Sequence, residues 1–165
     1  GTKLLIVGEG PQRREVQSKI KNLKLAKKAV LLGKVDHGKL MKSGIYKACD
    51  VFLNASTTET GPLTVLEAQA NGLVCVGVKG RGMETIIDGV NGYVVKPDNK
   101  KAFADAIAKV LTDDEKRARM SAAALKEARK YELGKIASIW EKTYCEILAK
   151  RAYLRKDILP EVASS

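Results

Sequence analysis

Residues 51–78 read VFLNASTTETGPLTVLEAQANGLVCVGV, and they indicate the fold most clearly. The apolar runs at its two ends, residues 51–53 and 74–78, are too short for helices and are predicted to be buried parallel strands. Residues 63–70 between them have the apolar period of a helix. A strand, a helix and a second strand in this order predict one βαβ unit of a parallel sheet.

The same alternation extends on both sides of this unit. Further apolar runs predict strands at residues 4–7, 30–32 and 93–95. Helical periodicity predicts helices at residues 12–23, 39–48 and 83–87. This order indicates an α/β fold, a Rossmann-like doubly wound parallel sheet with helices on both faces.

The C-terminal residues are predicted to be helical. Asn99 suits the N-cap of a helix through Leu111, and the pair Asp113-Asp114 suits the start of a second helix. A third helix, residues 133–149, is predicted to turn inward the side chains of Ile136, Trp140, Tyr144, Ile147 and Leu148. Residues 1–150 would form one domain, truncated at its N-terminal edge, and residues 151–165 a basic, loosely ordered tail.

The net charge of +11 lies mostly in one stretch of the 165 residues. Between Pro11 and Asp50 there are eleven lysines and arginines against three acidic residues. Such a stretch can attract an anionic membrane, phosphorylated ligands or nucleic acid, and it can equally be a solvated helix face. Nucleic acid is the weakest interpretation and is not expected as a partner, because few aromatic residues interleave with the basic ones.

Three scattered cysteines, Cys49, Cys75 and Cys145, form no CxxC pair and no metal-ligand cluster with His37. They predict a reducing compartment, the cytoplasm, with free thiols at Cys49 and Cys75. No run approaches the roughly 20 apolar residues that a membrane-spanning helix needs.

Ligands of such sheets bind at the carboxyl ends of the strands, and three predicted loops lie there. Gly8-Glu9-Gly10-Pro11 has only part of the dinucleotide-binding pattern, because Arg13 stands where the third glycine belongs. A plain tight turn and a ligand loop both remain open for it. In the loop Gly80-Arg81-Gly82, Arg81 could meet a phosphate or be an exposed loop arginine.

The loop over residues 54–62 carries the most chemistry. Backbone N–H groups at the following helix start can bind a diphosphate, namely those of Thr60, Gly61, Leu63 and Thr64. Pro62 offers no donor. Glu67 could accept hydrogen bonds from both hydroxyls of a ribose, and Glu59 could meet the group beyond the phosphates. These residues describe a nucleotide-sugar site, unless both glutamates only stabilise a helix N-terminus.

At these residues the chain resembles the retaining glycosyltransferases of the GT-B fold called group 1 or family 4. Glu59 and Glu67, with seven residues between them, match the family's E-x7-E signature. Further segments resemble family motifs in the same order: Gly8-Glu9-Gly10-Pro11, Leu32-Gly33-Lys34-Val35, residues 46–53, residues 67–72 and residues 88–95. The chain departs from the family pattern at Gly61-Pro62 and at Leu73.

The resemblance implies roles for individual residues. Glu59 would be the catalytic residue facing the sugar, and Glu67 would bind the donor ribose. The other donor-binding residues would be Gly8, Gly10, Val35, Thr60, Gly61, Pro62 and Leu63, with the backbone near Val35 beside the base. Neither a metal ion nor another cofactor is expected.

The resemblance also implies a function, which is donor binding for a hexosyltransferase that moves a sugar from a UDP- or GDP-type donor to a lipid or glycan. Gly1 and Thr2 lead directly into a strand, so an N-terminal acceptor domain is expected to be missing and the isolated chain inactive. Likeness to members that glycosylate membrane lipids adds an anionic membrane surface as a partner, at the inner face. The alternatives are a non-catalytic nucleotide- or phosphate-binding module and a nucleotide-sugar epimerase.

Overall fold

The structure is a computed structural model that describes residues 1–58 and 63–162, with side chains as far as Arg151. The chain divides into two compact units, Gly1–Ala48 and Cys49–Ser165. Hydrogen bonds join the strands of each unit into a parallel sheet of its own. Parallel strands with intervening helices confirm the predicted α/β class.

The first unit contains one βαβ motif followed by two short helices. Strand β1, Leu4–Val7, pairs in parallel with β2, Ala29–Gly33, and helix α1, Arg13–Asn22, connects them. Helix α2, His37–Lys42, and the single 3₁₀ turn Tyr46–Ala48 follow. Both strands and α1 lie within two residues of their predicted bounds.

The single helix predicted for residues 39–48 is wrong, because two local features stop α2 at Lys42. Asp36 begins the helix early by accepting a 3.0 Å hydrogen bond from the Lys39 N–H. Ser43 then ends it, since its hydroxyl donates to the Leu40 carbonyl at 2.7 Å. Gly44 follows with a φ of +75°, which a helix does not tolerate.

The prediction of buried strands fails in the first unit. Leu4 in β1 is 42% exposed, and the apolar residues Val30 and Leu32 of β2 are each 41% exposed. The connecting helix α1 buries none of its residues, and its apolar side chains are only Val16 and Ile20. That helix is therefore too polar to cover both strands.

The second unit holds a three-stranded sheet and the longer helices. Its elements in chain order are β3 (Val51–Asn54), α3 (Leu63–Ala70), β4 (Val74–Val78), β5 (Gly92–Val95), α4 (Lys100–Leu111), α5 (Asp114–Ala128), a 3₁₀ turn (Arg129–Tyr131) and α6 (Leu133–Val162). The strand order is β3-β4-β5, so β4 lies in the centre, and all five of its residues are buried.

Alternate side chains of β4 pack on opposite faces of this sheet. On one face Cys75 Sγ lies 3.9 Å from the Val65 carbonyl of α3. On the other face Val74 and Val76 form the main core with residues of α4 and α5, namely Ala106, Val110 and Met120. Each fully buried valine contributes about 1.5–3 kcal/mol. Helices on both faces confirm the doubly wound arrangement within this unit.

The helix predicted at residues 83–87 is wrong, because side chains take the backbone groups that a helix would need. The amides of Gln69 and Asn91 both donate to the Thr85 carbonyl, at 2.8 and 2.9 Å. The Ile87 N–H donates to Asn91 Oδ1 at 2.7 Å. Residues 83–87 therefore form turns.

The C-terminal helices begin where the sequence predicts, but the last one packs differently. Asn99 caps α4 by accepting from the Ala102 N–H at 2.9 Å, and Asp113 caps α5 by accepting from the Lys116 N–H at 2.8 Å. The inward orientation predicted for the third helix is wrong, since four of its five named residues, Trp140, Tyr144, Ile147 and Leu148, are at least 55% exposed. Among the described residues, α6 packs mainly on the 3₁₀ turn that precedes it.

Helix α6 also continues past residue 150, the predicted boundary between the domain and its tail. Its last residue is Val162. No helix in the described residues is long and apolar enough to cross a membrane.

Candidate functional site

Two loops meet at the carboxyl ends of β3 and β4. Asn54 ends β3, and its side-chain oxygen accepts a 2.9 Å hydrogen bond from the Ser56 N–H, which turns the chain out of the sheet. Gly80 follows β4 closely, and a Cβ atom there would lie 3.2 Å from the Thr57 carbonyl. The loop predicted to hold the ligand and the Gly80 loop are thus neighbours, as the topology requires.

Helix α3 presents Glu67 one turn from its start. Val65, Ala68 and Gln69 are the buried residues of this helix, and they fix which way it faces. Leu63, at the first position, is 70% exposed, and Glu67 follows it at i+4 on the same side. Glu67 is half-buried and has a polar partner in the structure.

The C-terminal end of α3 is closed by a glycine cap. Gly72 has a φ of +80°, its N–H donates to the Gln69 carbonyl, and the Leu73 N–H donates to the Ala68 carbonyl, both at 3.0 Å. The Asn71 side chain adds a 2.8 Å bond to the Glu67 carbonyl. These hydrogen bonds therefore hold the backbone of α3 at the C-terminal side of Glu67.

The predicted site residues fall into three groups. Leu63 and Glu67 lie together on α3 in the second unit. Gly8, Gly10 and Val35 lie in the first unit. Glu59, Thr60, Gly61 and Pro62 lie outside the described residues.

In the first unit, the Gly8 turn and the segment leading to Val35 meet at one edge of the sheet. The Gly8 N–H donates to the Gly33 carbonyl at 2.8 Å, and Val35 follows two residues later, half-buried. Gly10 accepts a 3.1 Å bond from the Arg13 N–H, which leads the turn into α1. The structure therefore brings the Gly8 turn to the end of β2, two residues before Val35.

An ion pair that was not predicted from the sequence closes this turn. Arg13 Nη1 lies 2.6 Å from Glu9 Oε2, and a Cβ atom on Gly33 would lie 3.2 Å from each of these atoms. Gly33 has a φ of +72°, so both its conformation and its surroundings favour glycine. The i, i+4 spacing of Glu9 and Arg13 is the sequence signal for this pair.

A buried polar cluster supports the second unit's loops and was also missed. Gln69 and Asn91, both fully buried, hold the Thr85 carbonyl from two sides. In the described residues Gln69 Oε1 and Thr85 Oγ1 have no hydrogen-bond partner. The cluster ties α3, which carries Glu67, to the turns that follow the Gly80 loop.

A buried thiol lies in the central strand of this sheet. Burial raises the pKa of the Cys75 thiol to about 12, so this thiol is a packing group and not a nucleophile. Arg81, the candidate phosphate ligand of the Gly80 loop, is exposed. Within residues 1–58 and 63–162, no cluster of three or more His, Cys, Asp or Glu residues could hold a metal ion.

The family model for glycosyl transferases group 1 matches residues 1–127. The chain belongs to this family. Among its curated relatives is N-acetyl-alpha-D-glucosaminyl L-malate synthase of Bacillus anthracis, to which the chain is 30% identical over 148 residues. That alignment covers 88% of the chain and 38% of the relative, so the chain spans well under half of the relative's length.

Solved structures of similar fold agree with this family assignment. The pneumococcal O-GlcNAc transferase GtfA, crystallised with UDP and GlcNAc, has a TM-score of 0.77 and 28% identity, over 88% of the group 1 chain and 29% of GtfA. Anabaena HepE, crystallised with UDP-glucose, has a TM-score of 0.72 and 26% identity, over 90% of the chain and 41% of HepE. The structural neighbours are GT-B glycosyltransferases, which confirms the predicted fold class.

Proposed function

We propose that this chain binds a nucleoside-diphosphate sugar at the loop between β3 and α3, as the donor-binding part of a retaining hexosyltransferase. The observation that carries the proposal is the position of Glu67. It is half-buried on α3, one turn from the exposed first residue Leu63, on the helix that follows the carboxyl end of β3 in the chain. Ligands of doubly wound sheets bind at this edge.

The chemistry of a helix start supports a diphosphate there. The first N–H groups of α3 have no partner within the helix, and the helix dipole favours negative charge at that end. Bound amides would stabilise the diphosphate as it leaves the sugar, which is the charge that develops in the transfer. Because these donors are backbone groups, we propose that transfer uses no metal ion and no further cofactor.

Two glutamates and several backbone segments complete the proposed site. Glu67 would accept hydrogen bonds from the two ribose hydroxyls, since a carboxylate has acceptor positions for both. Glu59 would face the sugar, with Thr60, Gly61 and Pro62 beside the phosphates. Gly8, Gly10 and the backbone near Val35 would lie along the base.

The donor is proposed to be a UDP-sugar, and the acceptor a lipid or glycan held by a separate domain of the whole protein. UDP is favoured over GDP because GtfA and HepE were both crystallised with UDP or a UDP-sugar. The chain spans 38% of its relative from Bacillus anthracis and 41% of HepE, which leaves room for an acceptor domain in proteins of that length. Alone, the chain would bind donor without transferring its sugar.

Isothermal titration of the chain with UDP, GDP and ADP tests the donor site. We expect selective binding of UDP, and we expect Glu67→Ala to weaken it by about 1–3 kcal/mol, the scale of a lost charge-assisted hydrogen bond. Glu141→Ala removes an exposed carboxylate on α6 and serves as the matched control. Unchanged UDP affinity in the Glu67 variant, with its fold intact by circular dichroism, would contradict the proposed role.

Transfer itself is tested on the whole protein with a UDP-sugar and candidate acceptors. Nuclear magnetic resonance of the product distinguishes a retained from an inverted anomeric configuration. Interconversion of the donor sugar without acceptor would indicate an epimerase instead. Donor binding without transfer or hydrolysis would indicate a non-catalytic module.

A further inference from the structure

The first unit contains a short segment in which basic residues are concentrated, and we call residues 21–28 the lysine turn. It reads KNLKLAKK and runs from the end of α1 to the start of β2. Its four lysines are Lys21, Lys24, Lys27 and Lys28, and all are exposed. It lies entirely within the first unit.

Backbone hydrogen bonds make the lysine turn a defined structure. The Leu25 N–H donates to the Ile20 carbonyl at 2.8 Å, and the Lys24 N–H donates to the Lys21 carbonyl at 2.9 Å, which together form a helix-ending cap. The Leu25 carbonyl then accepts from Lys28 and Ala29, at 2.8 and 2.9 Å. The lysines are thus held on a compact loop.

Lys24 occupies the position of this cap that usually belongs to glycine. Its φ is +54°, a left-handed conformation in which side chains other than that of glycine are strained. In the described residues only one other non-glycine, Asp98, has a positive φ. The turn therefore carries a charged side chain at a position where the backbone conformation favours glycine.

The charge of the lysine turn is not neutralised by neighbours. The described structure has no ion pair to any of its four lysines, and the first unit has only three acidic residues. Glu9 and Glu15 pair with Arg13 and Lys19, at 2.6 and 2.7 Å. Asp36 caps α2. The positive charge of the four lysines can therefore attract an external anionic surface.

An apolar side chain stands among these charges. Leu23 is 66% exposed, with lysines on either side along the chain at positions 21 and 24. An exposed leucine beside basic residues matches a bilayer surface, where anionic headgroups lie directly above an apolar layer. Nucleic acid fits less well, because the turn has no aromatic side chain to stack on a base.

We propose that the lysine turn docks this chain on an anionic membrane surface, with its lysines among the headgroup phosphates and Leu23 in the interfacial layer. The proposal is separate from donor binding, since it uses none of the donor-site residues. Near an anionic membrane each lysine strengthens binding by about fivefold, so three lysines together account for about a hundredfold.

Co-sedimentation of the chain with vesicles tests the proposal. We expect binding to mixed phosphatidylglycerol and phosphatidylcholine vesicles that weakens as salt is added, and little binding to phosphatidylcholine alone. The triple variant K21Q/K27Q/K28Q should weaken binding by about a hundredfold. The control K100Q/K109Q/K126Q loses the same charge from exposed positions of α4 and α5 and should change binding less than fivefold.

Three results would overturn the proposal. The first is no binding of the parent chain to the anionic vesicles. The second is an equal loss in the two triple variants, which would mean that net charge alone drives binding. The third is turn-dependent binding to duplex DNA or RNA that matches or exceeds the binding to vesicles.

The variant Leu23→Ser separates insertion from simple charge attraction. We expect it to weaken vesicle binding several-fold while leaving binding to heparin, a soluble polyanion, unchanged. An equal effect on both, or none on vesicles, would remove Leu23 from the docking surface. Circular dichroism of every variant verifies that the fold is retained.

Discussion

Gly92 begins β5 directly against β4, and its missing side chain is what allows that approach. A Cβ atom at this position would overlap the backbone carbonyl of Cys75 and lie 2.7 Å from Cγ2 of Ile86. The carbonyl belongs to the central strand and cannot move without disturbing the ladder on both sides. Residue 92 is therefore fixed by space rather than by conformation.

Replacing Gly92 by alanine should lower the free energy of unfolding by about 2–3 kcal/mol, because the new methyl group overpacks the sheet. Urea denaturation followed by circular dichroism measures the change. Gly134→Ala is the control, since nothing lies within 4 Å of a Cβ there, and it should be neutral or slightly stabilising. Similar stabilities for the two variants would show that β5 can move away from β4 at little cost in free energy.

Single residues also show what the sequence could and could not predict. Glu67 lies on α3, and the apolar period of residues 63–70 was enough to predict that helix. The cluster of Gln69, Thr85 and Asn91 was missed, because its hydrogen bonds join positions 16 and 6 residues apart. Sequence periodicity carries no information about such pairings.

At the scale of elements, capping residues were the most reliable guide. Asn99 and Asp113 were predicted to begin α4 and α5, and each accepts a hydrogen bond from the N–H three residues on. Caps are local, so the sequence alone specifies them. The inward face of α6 was wrong because packing of a helix depends on what lies beside it, which periodicity does not reveal.

The Asn99→Ala variant should lower the free energy of unfolding by about 1 kcal/mol, because the Ala102 N–H would lose its partner at the start of α4. Asn99→Asp keeps an acceptor oxygen at the same position and should leave stability nearly unchanged. Thermal unfolding of the two variants side by side measures this. A large loss in the aspartate variant would assign Asn99 a role other than capping.

At the scale of the whole molecule, the parallel strands and their order along the chain followed from the sequence, but burial did not. The central strand β4 of the second unit is fully buried, whereas the strands of the first unit remain half-exposed beside a polar helix. The family's sequence motifs lie in both units, at Gly8 and at Glu67. The resemblance was therefore informative where periodicity was not.

Stability of the whole fold should depend on alkaline pH through Cys75. The folded chain keeps the thiol proton up to a pKa of about 12, while the unfolded chain releases it near its ordinary value of 9.0. The folded state then binds more protons between these values, so stability is lost as pH rises, by about 1.4 kcal/mol per pH unit.

Urea denaturation of two variants from about pH 8.5 to about pH 11 isolates the thiol, because this range crosses its ordinary pKa of 9.0 and stays below its folded pKa of about 12. Cys75→Ala should show a shallower decline than the parent chain. Cys145→Ala, which removes an exposed thiol, should decline like the parent. Parallel curves for Cys75→Ala and the parent would mean that this thiol contributes nothing to the pH dependence.

Helix α6 also determines what the tryptophan fluorescence of this protein reports. Trp140 is the only tryptophan in the chain, it is 55% exposed, and its ring stacks on Tyr144 with centroids 5.7 Å apart. Both rings lie on α6, far along the chain from the strands. Tryptophan fluorescence of this protein therefore reports the surroundings of one exposed helix, and its signal can stay constant while both sheets melt.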